Sequence, residues 1–247
     1  MERIPRRLKR DPILEAVAEC RFQSERTGNA AAILPGYLYQ QLRSDFPNLE
    51  ALRESQIPAQ VRARDSDLRY RPVYRLRGGN TAILVGDHSL SVTVNEPYPG
   101  WETFKPLVTS VWRLLENSGV VGPLERISTK YTNLIEAELG TDHFALTNLD
   151  ITVGQQRLSN QPTQLQSEFS EGPLVTIVQA IGQATATSSA AKPRHGLVLV
   201  VDTIFKGPFD DFWKHFEDLL EQAHSKEKQV FFELLTDETL RKYEPEY

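Results

Sequence analysis

Strict alternation and turn signals dominate the first hundred residues. In EAVAECRF, residues 15–22, Ala16, Ala18, Cys20 and Phe22 fall on one side, while Glu15, Val17, Glu19 and Arg21 fall on the other. That is the two-residue period of a strand. Pro35-Gly36 then opens a short helix carrying Leu38, Leu42 and Phe46, stopped by Pro47. From 69 to 95 the pattern is a meander. Gly78-Gly79 is a natural two-residue hairpin turn, because both positions accept positive φ, and Gly86-Asp87 closes a second. These turns set Tyr74 opposite Ile83 and then Leu90, and Leu76 opposite Thr81 and then Val92. One face is apolar. The other carries Arg71, Arg75, Arg77, Asn80, Ala82, Ser91 and Thr93.

After Tyr98-Pro99-Gly100 the period changes. Trp101, Phe104, Val108, Val111, Trp112 and Leu115 recur at helical spacing to about Asn117, with Gly119 as the exit and Pro106 near the first turn. A strand follows over 126–135, with Ile127, Tyr131 and Ile135 on one side and Arg126, Ser128, Lys130 and Thr132 on the other. Further strands are expected near 149–154, 163–170, 174–181 and 196–204, and the small polar segment 182–196 reads as a loop-like hairpin tip. Pro208 begins a helix with Phe209, Phe212, Trp213, Phe216, Leu219 and Leu220 inward. A last helical segment carries Val230, Phe231, Leu234 and Leu235, with Asp237 capping a final turn.

Strands joined by hairpins, with helices segregated between them, predict an α+β fold rather than a doubly wound one. The expected architecture is a meander-rich antiparallel β-sheet with helices packed mainly on one face, leaving the other open. A chain of 247 residues suits a single domain over 1–247, with sub-halves at 1–140 and 141–247 as the alternative division.

Composition narrows the class. Hydrophobic residues are 40% and charged residues 25%, which fits an ordered globular chain. No apolar run, Leu197–Val201 included, approaches the roughly 18 residues of a membrane span, so no membrane association is expected. Arg3, Arg6, Arg7, Lys9 and Arg10 imitate the start of a signal peptide, but Asp11, Glu15 and Glu19 follow where an apolar core belongs. Cys20 is the one cysteine, so no disulfide forms within the chain; a cytoplasmic location is expected. Charge is uneven. Residues 1–80 hold 15 Lys and Arg against 10 Asp and Glu, whereas 201–247 hold 6 against 12, a polarity able to orient a partner or a second copy.

Candidate chemistry is sparse. The chain lacks a G-x-x-x-x-G-K-[ST] phosphate loop, G-x-G-x-x-G, H-E-x-x-H and G-x-S-x-G. Cys20 shares its strand face with Ala18 and Phe22, where burial would make a thiol inert. His88, His143, His195, His215 and His224 show no metal-ligand spacing, and neither metal nor cofactor is expected. His88 belongs to a turn, His195 to the end of the loop, and His215 and His224 to the polar side of a helix; Asp142-His143 reads as a polar turn. Glu15, Glu19 and Arg21 form a polar strand face on which an ion pair is favoured over acid–base work. The row Arg71, Arg75 and Arg77 is the best functional lead, since alternate residues on a strand lie about 7 Å apart, near a phosphate repeat. Arg126 and Lys130 would extend it. The face lacks the aromatic residues of a single-strand reader, and stems of exposed arginines often simply cover a sheet. Trp101, Trp112 and Trp213 read as core residues.

Three segments carry a resemblance. Asp11-Pro12-Ile13-Leu14-Glu15-Ala16-Val17-Ala18-Glu19-Cys20-Arg21-Phe22, Leu90-Ser91-Val92-Thr93-Val94-Asn95 with Tyr98-Pro99-Gly100-Trp101-Glu102-Thr103-Phe104, and Glu125-Arg126-Ile127 through Tyr131-Thr132-Asn133-Leu134-Ile135 are similar to an uncharacterised, sporadically distributed family of bacterial proteins. There the motifs run PPIxEAVxExRF, LSVN…PYxGWExF and RxGLRYIN. This chain departs from the third with Ser128-Thr129-Lys130, which keeps a cation but loses the guanidinium fork. The resemblance implies no particular activity. It implies companionship with neighbouring genes, some in defence-like settings.

The leading expectation is a non-catalytic regulatory component acting through a protein partner encoded nearby. A binder of nucleic acid or a nucleotide-like anion on the basic face is the alternative. An enzyme using Glu15, Glu19 and Lys130 is the third class. Oligomeric state is left open.

Overall fold

The alternating and helical patterns fold into an α+β architecture on a nine-stranded antiparallel sheet. The computed structural model describes residues 4–24, 30–187 and 192–247. In chain order the elements are β1 (Arg7–Leu8), β2 (Ile13–Ser24), α1 (Ala30–Leu42), β3 (Asn48–Ala51), α2 (Ala59–Arg64), β4 (Pro72–Gly78), β5 (Thr81–Gly86), β6 (Ser89–Asn95) and α3 (Trp101–Asn117). There follow β7 (Val121–Glu136), β8 (Thr152–Val153), β9 (Gln156–Arg157), β10 (Gln164–Glu171), β11 (Leu174–Ala186), β12 (Arg194–Lys206), α4 (Phe212–Leu234), α5 (Asp237–Lys242) and β13 (Pro245–Glu246). The large sheet has the order β10-β11-β12-β7-β2-β6-β5-β4-β3; β1-β13 and β8-β9 are two-stranded. The chain divides into two compact units. A meander unit comprises Glu15–Thr129 and Ile204–Glu221, and a hairpin unit comprises Met1–Leu14, Lys130–Thr203 and Gln222–Tyr247.

In the meander unit both turns sit one residue later than expected. Leu76 pairs with Ile83 and Tyr74 with Val85, so Gly79-Asn80 makes the first turn; Val85 pairs with Leu90, so the second lies beyond Gly86. Each partner therefore moves by two positions, which keeps Tyr74, Leu76, Ile83, Leu90 and Val92 on their expected face. Gly78 is a glycine because of a close approach and not because of the turn. A Cβ there would lie 1.9 Å from the Asp45 carbonyl oxygen, while Gly79 supplies the positive φ of 59°. The apolar face, Leu76, Ile83, Val85, Leu90 and Val92 with Ala16, Ala18 and Cys20 of β2, is fully buried. α1 contacts β4 and β5, and α3 contacts β6. α1 starts earlier than Pro35-Gly36, running from Ala30 with Pro35 inside it.

An aromatic cluster completes this core. The Trp112 ring lies 5.8 Å from that of Phe216, and Phe212 stacks on Phe216 at the same centroid separation. One buried ion pair fixes the connection ahead of β4. Arg62 of α2 bonds both oxygens of Asp87, at 2.6 and 3.0 Å, and its Nη1 donates to the carbonyls of Glu54 and Ile57. Arg62 and Asp87 are 5% and 4% exposed, so the pair is a satisfied interior clamp between α2 and the β5–β6 turn.

In the hairpin unit, Ile135, Phe144, Ala180, Leu197, Leu199, Val201, Phe231 and Leu235 form the core. The expected loop over 182–196 is shorter: β11 extends to Ala186 and β12 begins at Arg194, while residues 188–191 lie outside the described residues. The strand expected near 149–154 is reduced to the β8–β9 pair. The helix expected from Pro208 starts at Phe212 and continues without a break to Leu234. The final helix is capped by Thr236, whose side chain accepts from the Thr239 N–H, and Asp237 is its first residue. His143 is fully buried, with Nδ1 accepting from the Gln183 N–H and Nε2 donating to the Glu138 carbonyl. Asp142 Oδ1 accepts from the N–H groups of Phe144 and Ala145. The polar turn is structural.

Candidate functional site

The polar side of β2 forms the centre of a half-buried charged network in the meander unit. Pairing with β6 places Glu15 opposite Asn95, Val17 opposite Thr93, Glu19 opposite Ser91 and Arg21 opposite Ser89. Glu19 Oε1 accepts from Arg21 Nε at 2.7 Å and from Arg126 Nη2 at 3.1 Å, and Ser91 Oγ donates to its other oxygen at 3.5 Å. Thr93 Oγ1 donates to Glu15 at 3.2 Å. The Arg21 guanidinium then stacks 4.3 Å from the centroid of the Tyr70 ring. The Tyr70 hydroxyl donates to Glu125 Oε2 at 2.5 Å, and Arg69 Nη2 donates to Glu125 Oε1 at 3.3 Å. Burial, reinforced by the Glu125 hydrogen bond, raises the Tyr70 phenol above its ordinary value of 10.0.

Three residues named from sequence, Glu19, Arg21 and Arg126, therefore meet, with Glu15 beside them. Each acid of this chain of contacts is engaged by neighbouring donors. Glu19 holds two guanidinium groups, and Glu125 holds a phenol and a third guanidinium. That suits a clamp between strands more than acid–base work, which needs an acid free to exchange its proton with a substrate.

The arginine row expected on β4 does not form. A bulge between Pro72 and Tyr74 breaks the alternation, leaving Arg71 ahead of the regular ladder. Arg71 Nε donates to the Asp67 carbonyl, and its Nη1 lies 3.8 Å from Glu54. Arg75 is opposite Glu50 of β3 and forms an ion pair with it; that hydrogen bond holds the Glu50 carboxyl below its usual range. Arg77 stands opposite Asn48 and is exposed. It lines a polar, open cleft with Tyr39, Pro47, Asn48, Leu49, Glu50 and Gly79. Lys130 is half-buried on β7, in the hairpin unit.

The remaining sequence candidates are structural. Cys20 is fully buried, its thiol pushed well above the ordinary range by desolvation. His88 Nδ1 lies 3.3 Å from the Phe22 carbonyl oxygen. His195 belongs to β12, where Nδ1 is 2.9 Å from Thr185 Oγ1. His224 does not ride a polar face. Its ring packs 5.7 Å from that of Tyr131, with Nδ1 3.2 Å from the hydroxyl. Among the described residues no group of His, Cys, Asp and Glu could hold a metal ion.

Sequence reading missed an apolar groove beside an edge strand, which lies in the hairpin unit. Among the described residues β10 is the terminal strand of the sheet and pairs along Gln164–Glu171 with β11 alone. Its second edge offers a row of backbone N–H and C=O groups. Leu165, Ser167 and Phe169 sit opposite Ala180, Val178 and Thr176, and all but Ala180 line a groove of about 460 Å³. Leu149, Val230 and Leu234 supply further apolar lining, while Lys226, Glu171 and Glu233 stand at its rim. Phe169 is 60% exposed, the largest exposure of any phenylalanine among the described residues. The signal was present in the alternation of Leu165 and Phe169, but nothing local says that β10 ends a sheet.

Among the described residues no helix is long and apolar enough to cross a membrane. No protein-family model matches the chain, and no curated protein matches it.

Proposed function

We propose that this chain is a non-catalytic binding component that acts through a protein partner. One observation carries the reading: an eight-residue strand lies unpaired along one edge, above an apolar groove with a largely exposed phenylalanine. Backbone groups and apolar surface offered together are what strand-adding partners use. Burying the exposed part of Phe169 alone would contribute about 1–2 kcal/mol to a complex. The self-contained pairing of Glu19 and Glu125 supports the same reading, because it gives their charges a structural task. The partner is a product of a neighbouring gene, and the two work in the bacterial cytoplasm, in a defence or stress system. Co-expression with each neighbouring product, followed by size exclusion with light scattering, tests it. A stoichiometric complex is expected; a chain that stays alone with every neighbour removes the reading.

A second reading, a small-anion site, has one specific observation in its favour. The Nε atoms of Arg69 and Arg126 are buried without a hydrogen-bond partner. An unsatisfied buried donor costs about 1–3 kcal/mol, which a phosphate or carboxylate oxygen would relieve. Titration with inorganic phosphate, followed through the Arg69 and Arg126 side-chain resonances, should show saturation if that site exists; unshifted resonances remove it.

A further inference from the structure

We infer that the partner segment is an extended, cationic stretch of chain that adds to the free edge of β10 and seats alternate apolar side chains in the groove beside α4. The inference rests on the partner-binding reading and names the chemistry of what is bound. Its shape follows from the edge. Only an extended backbone can match donors and acceptors spaced along eight strand residues, a length of about 26 Å at the usual rise.

Alternation sets the apolar part. A new strand beside β10 continues the pleat, so every second side chain falls on the side of Leu165, Ser167 and Phe169. That side is where Val178, Val230, Leu234 and Leu149 leave the groove unfilled, and its volume lies within the range of small-molecule pockets. One or two bulky apolar residues, two positions apart, fit it.

Charge sets the rest. β10 carries Glu168 and Glu171 and no cation. On the groove rim Glu171 and Glu233 face a single cation, Lys226, which is 2.7 Å from Glu171. The Glu171 side chain is 74% exposed despite that pair, so a second cation can reach it. A Lys or Arg in the partner completes this balance, whereas an acidic segment meets repulsion from Glu171 and Glu233 at the rim. The same repulsion opposes a second copy of this chain, whose own β10 carries a further Glu171.

The test uses the full chain and three synthetic decapeptides: alternating Lys and Ile, alternating Glu and Ile, and the Lys–Ile peptide with proline at two central positions. Binding is read by fluorescence anisotropy, and its location by amide hydrogen exchange. The Lys–Ile peptide is expected to bind, with slowed exchange confined to 164–171 and its hairpin neighbour. The Glu–Ile and proline peptides are expected to bind at least roughly tenfold more weakly, and Phe169→Ser, which removes the ring without adding charge, to weaken the Lys–Ile peptide by a similar factor. Phe169→Leu, which keeps an apolar side chain, should retain most of the binding. Equal affinity for the two charge patterns overturns the inference, as does protection elsewhere or no binding at all. A neighbouring gene product that binds while 164–171 exchange freely also overturns it and leaves the partner-binding reading standing. Self-association that protects 164–171 and is lost in Phe169→Glu overturns it in favour of a second copy.

Discussion

The two ends of the sheet are built differently. In the meander unit the last strand, β3, has four residues, and its one charged side chain, Glu50, is taken up by Arg75 on the neighbouring strand. In the hairpin unit the last strand, β10, has eight residues, with seven exposed and Phe169 projecting. Short length and cross-strand pairing are the usual ways to close an edge. β3 has both. β10 is not short, and its side-chain pairing, Gln166 with Gln179 and Glu171 with Lys226, leaves Phe169 uncovered. The contrast teaches where to look for a partner: at the long edge that leaves a phenylalanine in solvent, not at the short one.

The contrast extends to the interiors, and tryptophan makes it measurable. Trp101, Trp112 and Trp213 all belong to the meander unit, so tryptophan emission reports on that unit, while hydrogen exchange reports on both. The largest effect is expected from Arg62→Ala. It strands Asp87 in an interior site and should cost about 3–5 kcal/mol in urea unfolding followed by tryptophan emission. Pairing Arg62→Met with Asp87→Leu should restore most of that loss; equal losses in the single and double variants would dissolve the clamp argument.

Next comes Glu227 on α4, in the hairpin unit, 4% exposed. Desolvation raises its carboxyl well above the ordinary 4.5; Lys228 opposes the shift, and Asp11 adds to it. The folded state therefore holds a proton that the unfolded chain releases above about pH 4.5. The contribution of this group to stability is greatest below that pH and falls by about 1.4 kcal/mol per pH unit until the folded group ionises as well. Glu227→Gln should flatten this fall, measured as unfolding free energy against pH by hydrogen exchange in the hairpin unit. An unchanged slope would contradict it.

Smaller again is Glu19→Ala, which removes the shared acceptor of Arg21 and Arg126. These side chains are 27% and 22% exposed, so water screens part of the loss, and about 1–2 kcal/mol is expected in the same urea assay. The smallest change is for Phe169→Glu, within about 0.5 kcal/mol of the parent in stability, because the ring is mostly in solvent. A large loss there would mean that Phe169 serves the fold and not a partner.

What could be read from sequence divides along the same physical lines. Faces were legible. The meander's turns were each placed one residue early, yet Tyr74, Leu76, Ile83 and Leu90 kept their side, because a shift of two positions preserves parity. The turn itself misled because Gly78-Gly79 serves two needs, a close approach to Asp45 and a positive φ, and only the second is a turn signal. The ion pairing of Glu19 with Arg21 was legible from their spacing on one strand. The arginine row failed at the bulge after Pro72, which no alternation pattern announces. Long-range partners were illegible: Arg62 and Asp87 are 25 positions apart, and Tyr70 and Glu125 are 55 apart. The openness of β10 is a property of sheet order, so its residues could be recognised as a strand but not as the outermost one.

Glu171 has a further consequence for handling the protein in solution. While it is charged, two β10 edges repel, which keeps molecules from stacking strand to strand. The hydrogen bond from Lys226 pulls the Glu171 carboxyl below its ordinary range, so this guard persists into mild acid. In stronger acid the Glu171 carboxylate takes up its proton, and the exposed strand with its phenylalanine becomes an adhesive seam. Clouding should therefore begin on acidification before the helices melt, and replacing Phe169 with a permanently charged lysine should keep the solution clear.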